Sequence, residues 1–262
     1  MSVQRPLLTV LLLIGLCNSL TIYAQYKTTP EFASYMKAVQ AQQILTPAQV
    51  KQYIPADQNI DSRQFQAMGM TFRSKAYTQV LLMFNCEVAM YCEGSLTVHY
   101  NNATGDIVGS THSISQTEDC DNKYSLETEF SNDSLVVTVE SKWQGKCGKF
   151  DNLFDDYTVR EYEILASGEI NLTRTHVLAQ GRDYPDVSIR LFTELEMEDY
   201  KAKELTAMKN ELLASYGFKF PDAKLAKLFS KKDWYEPKVD QVPESAFSYI
   251  EKRNIDLIRK YE

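Results

Sequence analysis

The amino-acid sequence predicts an α+β protein in which helices flank an antiparallel sheet. Two observations support this fold class. Apolar residues between positions 64 and 196 alternate with polar ones, which is the period of half-buried strands. On both sides of that segment apolar residues recur every three or four positions, which is the period of amphipathic helices. We therefore expect an antiparallel β meander, sandwich or barrel-like domain, flanked by short N-terminal helices and a C-terminal three-helix module.

Residues 25–63 are expected to form an N-terminal helical segment that packs on the β domain. The second of its two helices begins at Thr46-Pro47, because Thr caps a helix well and Pro is favoured at the first helical position. That helix ends at Pro55. The apolar face of the first helix consists of Phe32, Tyr35, Met36 and Val39.

Residues 64–196 are expected to hold eight or nine antiparallel strands. The apolar segment 77–84 predicts a central strand, and the turn residues of 101–105 and 131–134 separate alternating segments. Ala166-Ser167-Gly168 predicts a tight hairpin. The last strand is predicted from the alternation of Val187, Ile189 and Leu191.

Residues 197–262 are expected to form three helices. The first has an apolar stripe and ends at Gly217, because glycine lets a helix end in a left-handed conformation. The second begins at the N-cap residue Asp222. The inward residues of the second helix are predicted to be Leu225, Leu228 and Phe229. The stripe of the first helix consists of Leu205, Met208, Leu212 and Tyr216.

The third helix follows Pro243 and has one polar residue, Asn254, on its apolar face. A buried amide needs hydrogen-bond partners. We expect Asn254 to point inward and to bond Asn210-Glu211 or a backbone group near Trp234.

Several residues of this module share a specific spacing: Lys209-Asn210-Glu211, Ala214, Gly217, Phe220, Trp234-Tyr235, Pro237 and Asn254-Ile255. This set resembles the YARHG domain, a small helical module of bacterial envelope proteins. The name-giving pentapeptide reads LASYG at 213–217, so Leu213, Ser215 and Tyr216 replace the family's Tyr, Arg and His. The resemblance therefore implies a location and a fold more than an activity. The residues expected to be structural are Asn210, Gly217, Trp234 and Asn254.

Residues 1–24 have the pattern of a secretory signal peptide: a positive start at Arg5, an apolar run, and a cleavage site after Ala24. The apolar run is short for a membrane span, so an uncleaved anchor is the weaker alternative. Cys17 raises lipidation as another alternative, but Leu16 is larger than the residue that normally precedes a lipidated cysteine. We expect an exported protein that is periplasmic, outer-membrane-associated or extracellular, with no transmembrane span after cleavage.

The charge of the chain is acidic and uneven. After cleavage, 27 basic and 35 acidic side chains leave a formal charge of −8. Residues 201–262 hold 13 basic and 10 acidic side chains, whereas residues 25–200 hold 14 and 25. This balance argues against nucleic acid as a partner of the main body. We expect the positive module to face the acidic domain or a polyanionic ligand.

Four cysteines remain after cleavage, and an even number in an exported chain predicts two disulfides. The positions of the turns favour pairing Cys86 with Cys92 and Cys120 with Cys147, so that each bridge closes a hairpin. Zinc binding is the alternative, but the spacing lacks the paired two-residue gaps of a zinc ribbon.

No catalytic motif stands out among the ionisable residues. Of the three histidines, His99 and His112 lie on adjacent predicted strands but not opposite each other. Clustered carboxylates occur around Cys120 and again at 151–156, where they could serve a glycosidase or bind calcium, or simply be solvated. We predict no cofactor and no metal site.

These observations favour an exported envelope protein of non-enzymatic binding or structural type, with a helical docking module. Its partner would be an envelope protein or a glycan. The alternative is a cell-wall or glycan hydrolase that uses loop carboxylates such as Asp119 and Asp156.

Overall fold

The computed structural model describes residues 29–57, 63–86, 91–118, 122–144 and 156–262. The expected signal peptide lies outside the described residues. Within the described part of the chain, no helix is long and apolar enough to cross a membrane.

Eight antiparallel strands form one sheet, and each strand pairs with its neighbours in chain order. The strands are β1 Arg63–Arg73, β2 Tyr77–Cys86, β3 Tyr91–Asn101, β4 Ile107–Glu118, β5 Asn122–Ser131, β6 Leu135–Gln144, β7 Asp156–Ile164 and β8 Ile170–Val177. The sheet is not closed, because β1 and β8 are not paired with each other. The predicted α+β class is therefore confirmed, with one open meander as its sheet.

Two helices precede the sheet, α1 Pro30–Gln40 and α2 Pro47–Tyr53. The Thr46 side chain caps α2 by accepting a hydrogen bond from the Gln49 backbone, as the Thr-Pro signal predicts. Both helices pack on β1–β3 through an aromatic cluster of Phe32, Tyr35, Tyr53 and Tyr100. The Tyr100 hydroxyl donates to the Tyr53 carbonyl over 2.6 Å, so this buried hydroxyl is satisfied.

The C-terminal helices pack on the other half of the sheet. They are α3 Asp186–Ile189, α4 Glu194–Asp199, α5 Ala202–Ser215, α6 Ala223–Phe229 and α7 Tyr249–Tyr261, with a short 3₁₀ helix at Glu244–Ala246. Ile250 of α7 lies in one apolar cluster with Val137 of β6 and Val159 of β7. This cluster joins the helical module to the sheet.

The predicted last strand at 187–191 is wrong, because residues 186–189 form the helical turn α3. The Arg190 backbone N–H donates to the Asp186 carbonyl over 3.2 Å, which is the hydrogen bond of a helical turn and not of a strand pair. Three alternating apolar residues were too short a pattern to distinguish a strand from a turn of helix.

The prediction for α6 is partly wrong. Asp222 caps this helix by accepting hydrogen bonds from the Lys224 and Leu225 backbones, and Phe229 is buried. Leu228, however, is 53% exposed. A helix of seven residues has one narrow buried face, and Phe229 occupies it.

Candidate functional site

A cavity of about 390 Å³ lies within the curve of the sheet, and we call it the sheet cavity. Its volume falls in the range of small-ligand sites. Seven consecutive strands, β1 to β7, contribute side chains to it, so the sheet curves around it. The lining residues are Thr71, Gln79, Leu81, Ser95, Thr97, His99, Thr111, Ser113, Ile114, Thr128, Ser131, Val136 and Ile164.

Hydroxyl groups dominate the polar part of the lining. Thr97 Oγ1 and Ser113 Oγ, on adjacent strands, share a hydrogen bond of 2.9 Å. Thr128 Oγ1 donates to the His112 carbonyl over 2.9 Å. Within the described residues, no protein group bonds the side chains of four other lining residues, Thr71, Gln79, Ser95 and Ser131. Their donors and acceptors are therefore available to a ligand.

His99 is the one ionisable side chain of the lining, and it is buried. Burial lowers the pKa of His99, against a smaller opposing effect of its hydrogen bond to Gly168. Its Nδ1 lies 2.8 Å from the Gly168 carbonyl oxygen, which can only accept, so Nδ1 carries the proton. In the neutral ring Nε2 is then an acceptor.

A contact with Gly168 fixes the His99 ring, which lines the cavity. Gly168 belongs to the β7–β8 turn, 69 residues along the chain from His99. The Tyr77 ring stacks on His99 with 4.8 Å between ring centroids, and it also packs against Val136 and Ile164. Gly168 has a φ of +92°, and a Cβ added there would lie 2.5 Å from the Tyr77 ring. Only glycine fits this turn against Tyr77.

A second polar cluster joins the segment that follows β8 to the C-terminal helices, near their contact with the sheet. Arg182 and Glu211 form an ion pair of 3.3 Å whose side chains are only 1% and 2% exposed. Glu211 also accepts hydrogen bonds from the backbones of Asp183 and Tyr184. Arg182 Nη1 donates to Ser188 Oγ over 2.9 Å, and Ser188 donates in turn to Glu251. These contacts join three helices, α3, α5 and α7, through buried charges.

His176 of β8 links this cluster to the sheet. The Tyr216 hydroxyl donates to Glu251 Oε2 over 2.6 Å and lies 3.0 Å from His176 Nδ1. Because that hydroxyl has only one hydrogen, His176 Nδ1 is the donor to it. Burial raises the pKa of Tyr216 far above its usual range, and the Glu251 carboxylate adds to the effect. Tyr216 occupies the position of the family's His in the pentapeptide, and here it is a neutral hydrogen-bonding group.

Backbone groups of the module form hydrogen bonds with charged side chains of the sheet. Glu161 of β7 accepts a hydrogen bond from the Tyr249 backbone at the start of α7, where the helix dipole favours a carboxylate. Arg174 of β8 donates to the carbonyls of Ser245 and Ala246.

Lysines and arginines of residues 201–262 form several ion pairs. Among the described residues, their partners are carboxylates of residues 183–262 and not of the strands. The pairs are Lys209–Glu262, Lys219–Asp240, Lys232–Asp183, Lys238–Glu236, Arg259–Asp256 and Lys260–Glu194.

Asn254 points inward, but its partners differ from those predicted. Its amide donates to the carbonyls of Val187 and Arg190 and accepts from the Phe192 backbone, over 2.7 to 2.9 Å. The partners come from the segment around α3, where the sequence predicts a strand. The carbonyls of Val187 and Arg190 and the backbone N–H of Phe192 thereby each have a partner.

Gly217 precedes α6 along the chain, and Trp234 follows it. Gly217 has a φ of +74° after the end of α5, and a Cβ there would lie 2.7 Å from the Glu236 carbonyl oxygen. Trp234 is half-buried against Phe229, and its Nε1 donates to the Gly181 carbonyl over 3.2 Å. Asn210 is half-buried and lines a smaller cleft of about 180 Å³ between α5 and α6.

The other residues singled out from the sequence are not brought into one site. Asp156 is exposed and accepts a hydrogen bond from Gln180, while Asp119 lies outside the described residues. His99 and His112 are not opposite each other, since His99 faces Gly109 and His112 faces Leu96. Within the described residues, no group of three or more His, Cys, Asp or Glu side chains could hold a metal ion.

The structure describes the four cysteines of the predicted disulfides only in part. Cys120 and Cys147 are outside the described residues, and only the backbones of Cys86 and Cys92 are described. The β2–β3 register pairs Asn85 with Glu93, and one further step along it reaches Cys86 and Cys92. The predicted pairing of these two stays a prediction.

Sequence reasoning missed both the sheet cavity and the buried cluster around Glu211. Single Ser and Thr residues on strands are common, so their convergence gave no signal. A buried Glu on the apolar side of α5 would have been a signal, since a buried carboxylate needs a partner.

Comparison with known protein families identifies the C-terminal module. Residues 182–262 match the family model of the YARHG domain. The match begins before the predicted module boundary at 197 and includes α3, and it leaves the sheet unrecognised. Comparisons with curated proteins and with solved structures return no match.

Proposed function

We propose that this protein, which carries a YARHG domain after its sheet, is an exported, non-enzymatic binding protein of the bacterial envelope, and that the sheet cavity is its binding site. The observation that supports this most is the lining of the cavity. It combines a ligand-sized volume with polar side chains that have no partner among the described residues.

The lining also favours binding over hydrolysis. A glycosidase needs two carboxyl groups about 5–10 Å apart across the scissile bond. Among the described residues that line the cavity there is no Asp or Glu. Of the two carboxylates proposed for the hydrolase alternative, Asp156 is exposed and pairs with Gln180. Asp156 is not among the residues that line this cavity, so it is not positioned to act there as a general acid.

The helical module fits a role in packing and docking. Its buried charges bond one another and the backbone, and its stripe residues Leu205, Met208 and Leu212 are buried. The residues Asn210, Gly217, Trp234 and Asn254 would then be structural. An extracytoplasmic location is consistent with the YARHG domain, and the predicted signal peptide supports export. We propose in addition that the protein is periplasmic, outer-membrane-associated or extracellular, and that its partner is an envelope protein or a glycan.

A pair of matched substitutions tests the binding site. Thr71 lines the cavity and Thr175 does not, yet both are exposed threonines on the two edge strands of the sheet. Thr71→Trp should block the cavity, whereas Thr175→Trp should leave it open. The measurement is ligand-induced thermal stabilisation in a screen of small molecules and glycan fragments released from bacterial envelopes.

We expect hits that stabilise the wild type and Thr175→Trp but not Thr71→Trp. Mass spectrometry of each hit after incubation should recover the ligand intact. Hits that stabilise both variants equally would place the binding site elsewhere. Cleaved products would contradict the non-enzymatic proposal and favour the hydrolase.

A further inference from the structure

We infer that the ligand of the sheet cavity is an uncharged saccharide of one or two rings, held by hydroxyl and amide groups of β1–β5. This inference rests on the proposed function, because it names the chemical class that the same cavity would take.

Charge is the first reason. The described lining contains no Lys, Arg, Asp or Glu side chain. A charged ligand would lose its hydration there without gaining an opposite charge, which is strongly unfavourable. His99 does not supply a positive charge, because its burial favours the neutral ring and its Nδ1 hydrogen is already donated to Gly168. An uncharged ligand avoids this penalty.

The free polar groups are the second reason. Thr71, Ser95 and Ser131 offer hydroxyls, each of which can donate one hydrogen bond and accept two. Gln79 adds an amide that donates and accepts. An aliphatic chain in the cavity would remove water from these groups and leave them unpaired. Ligand hydroxyls, which also donate and accept, would replace the lost water bonds.

The remaining lining suits the apolar faces of a sugar ring. Leu81, Ile114, Val136 and Ile164 are aliphatic side chains of the same cavity, and Ile114 is 47% exposed. A pyranose has axial C–H groups that bury against such side chains, while its hydroxyls point outward to polar groups. A volume of about 390 Å³ is at the small end of ligand sites, which favours one or two rings over a longer chain.

A peptide fits these features less well. An extended peptide binds a sheet mainly through backbone hydrogen bonds at an exposed edge. The sheet cavity is instead lined by side chains from β1 to β7, most of them from interior strands whose backbone groups are already paired. Peptide binding is therefore an outcome of the test that would contradict the inference.

Saturation-transfer NMR on the full mature chain tests the ligand class. The neutral probes are glucose, maltose, N-acetylglucosamine and its β-1,4-linked disaccharide. The matched charged probes are glucuronic acid and glucosamine. Lauric acid and an uncharged, end-capped tetrapeptide represent the other classes. We expect transfer to at least one neutral saccharide, and weaker or no transfer to its charged counterpart.

Isothermal titration calorimetry of the best neutral probe then locates its contacts. Ser95→Ala and Gln79→Leu should each weaken its affinity by roughly three- to tenfold, because each removes one hydrogen-bonding group. Thr175→Val, outside the cavity, should leave the affinity unchanged. Circular dichroism and the melting temperature confirm that each variant is folded.

The outcomes separate this inference from the proposed function. If only a charged probe, lauric acid or the peptide binds, and Thr71→Trp abolishes that binding, the cavity is a binding site and the saccharide inference is wrong. If a neutral saccharide binds but the cavity substitutions have no effect, the saccharide binds outside the sheet cavity. The assigned binding site and the inference are then both wrong. If no neutral saccharide binds, the inference is overturned, while the envelope screen with Thr71→Trp still decides the proposed function.

Discussion

Arg182 and Glu211 form an ion pair in which both side chains are almost fully buried, at a distance of 3.3 Å. Glu211 also accepts two backbone hydrogen bonds from residues 183 and 184. One carboxylate thus holds the start of the helical module, just after β8, against α5. Breaking a buried ion pair leaves an uncompensated charge, which is strongly destabilising.

We predict that Glu211→Ala lowers the free energy of unfolding by about 3–5 kcal/mol, because Arg182 and two backbone N–H groups lose their acceptor. Urea unfolding followed by circular dichroism measures this. Glu198→Ala, at an exposed position of α4, is the control and should change stability by less than about 0.5 kcal/mol. Equal effects of the two substitutions would contradict the buried role of Glu211.

Gly217 and Gly181 offer a comparison at nearly the same backbone angle. Their φ values are +74° and +75°, but a Cβ at Gly217 would meet the Glu236 carbonyl oxygen at 2.7 Å, whereas at Gly181 the nearest atom, in Trp234, is 3.9 Å away. Gly181→Ala should cost about 1–2 kcal/mol from the left-handed backbone alone. Gly217→Ala should cost at least about 1 kcal/mol more, since its backbone contact must shift as well. Chemical denaturation of both variants checks the difference, and an equal loss would show that the contact with Glu236 relaxes freely.

Asn254→Leu keeps a side chain branched at the same carbon but removes three hydrogen bonds to the segment around α3. We expect a loss of roughly 3 kcal/mol in unfolding free energy, because the backbone groups of Val187, Arg190 and Phe192 are left unpaired. Arg253→Leu, at the exposed neighbouring position, controls for the change to leucine on α7. If both variants unfold at the same urea concentration, the hydrogen bonds of Asn254 do not contribute the expected stability.

The stability of the protein should fall as the pH falls below about 6.5, the ordinary pKa of histidine. Burial lowers the pKa of His176, with Glu251 opposing and Arg182 reinforcing the effect. The unfolded chain therefore binds the proton more readily than the folded chain, and acidification favours unfolding. His176→Gln keeps an amide that can donate to Tyr216 but cannot titrate.

Unfolding free energies of the wild type and His176→Gln between pH 7.5 and pH 5.5 test this. The variant should lose less stability, by up to about 1.4 kcal/mol per pH unit. It should retain some acid sensitivity, because burial also lowers the pKa of His99 and His112. Parallel pH curves for the two proteins would show that His176 does not change its charge on unfolding.

The two predicted disulfides remain predictions, and the β2–β3 register continued by one step would place Cys86 opposite Cys92. Non-reducing peptide mapping of protein secreted into an oxidising compartment should link Cys86 to Cys92. The second predicted link, Cys120 to Cys147, should appear in the same map. A link between Cys86 and either of the other two cysteines would contradict the hairpin pairing, and free thiols would argue against export.

Features that depend on neighbouring residues could be predicted from the sequence. The N-cap at Thr46, the hairpin at 166–168 and the end of α5 at Gly217 all follow from local backbone preferences. The antiparallel strands followed from alternation over segments of about ten residues, which left a meander, a sandwich and a barrel equally open. These signals need no knowledge of distant contacts.

Features that depend on distant residues could not be predicted in this way. Asn254 was expected to be buried and bonded, but its partners lie 62 to 67 residues away on a segment whose conformation was misassigned. The sheet cavity combines Thr71 with Ile164, and its shape depends on the curvature of the whole sheet. Side-chain alternation predicts which residues share a face of the sheet. It does not predict the curvature that brings residues of distant strands into one cavity.

The hydrogen bond between His99 and the Gly168 carbonyl has a consequence for the order of folding. It joins groups 69 residues apart, and the segment between them contains four of the eight strands, β4 to β7. Contacts of such separation form late, because the entropy of closing the loop must be overcome before they contribute. A nascent chain that ends before β7 would hold β1 to β6 and the aromatic cluster of α1 and α2, but it would lack Ile164 of the lining and the Gly168 contact of His99. Ligand binding should therefore appear only after β7 and the Gly168 turn have joined the sheet, and could serve as a kinetic probe of that step.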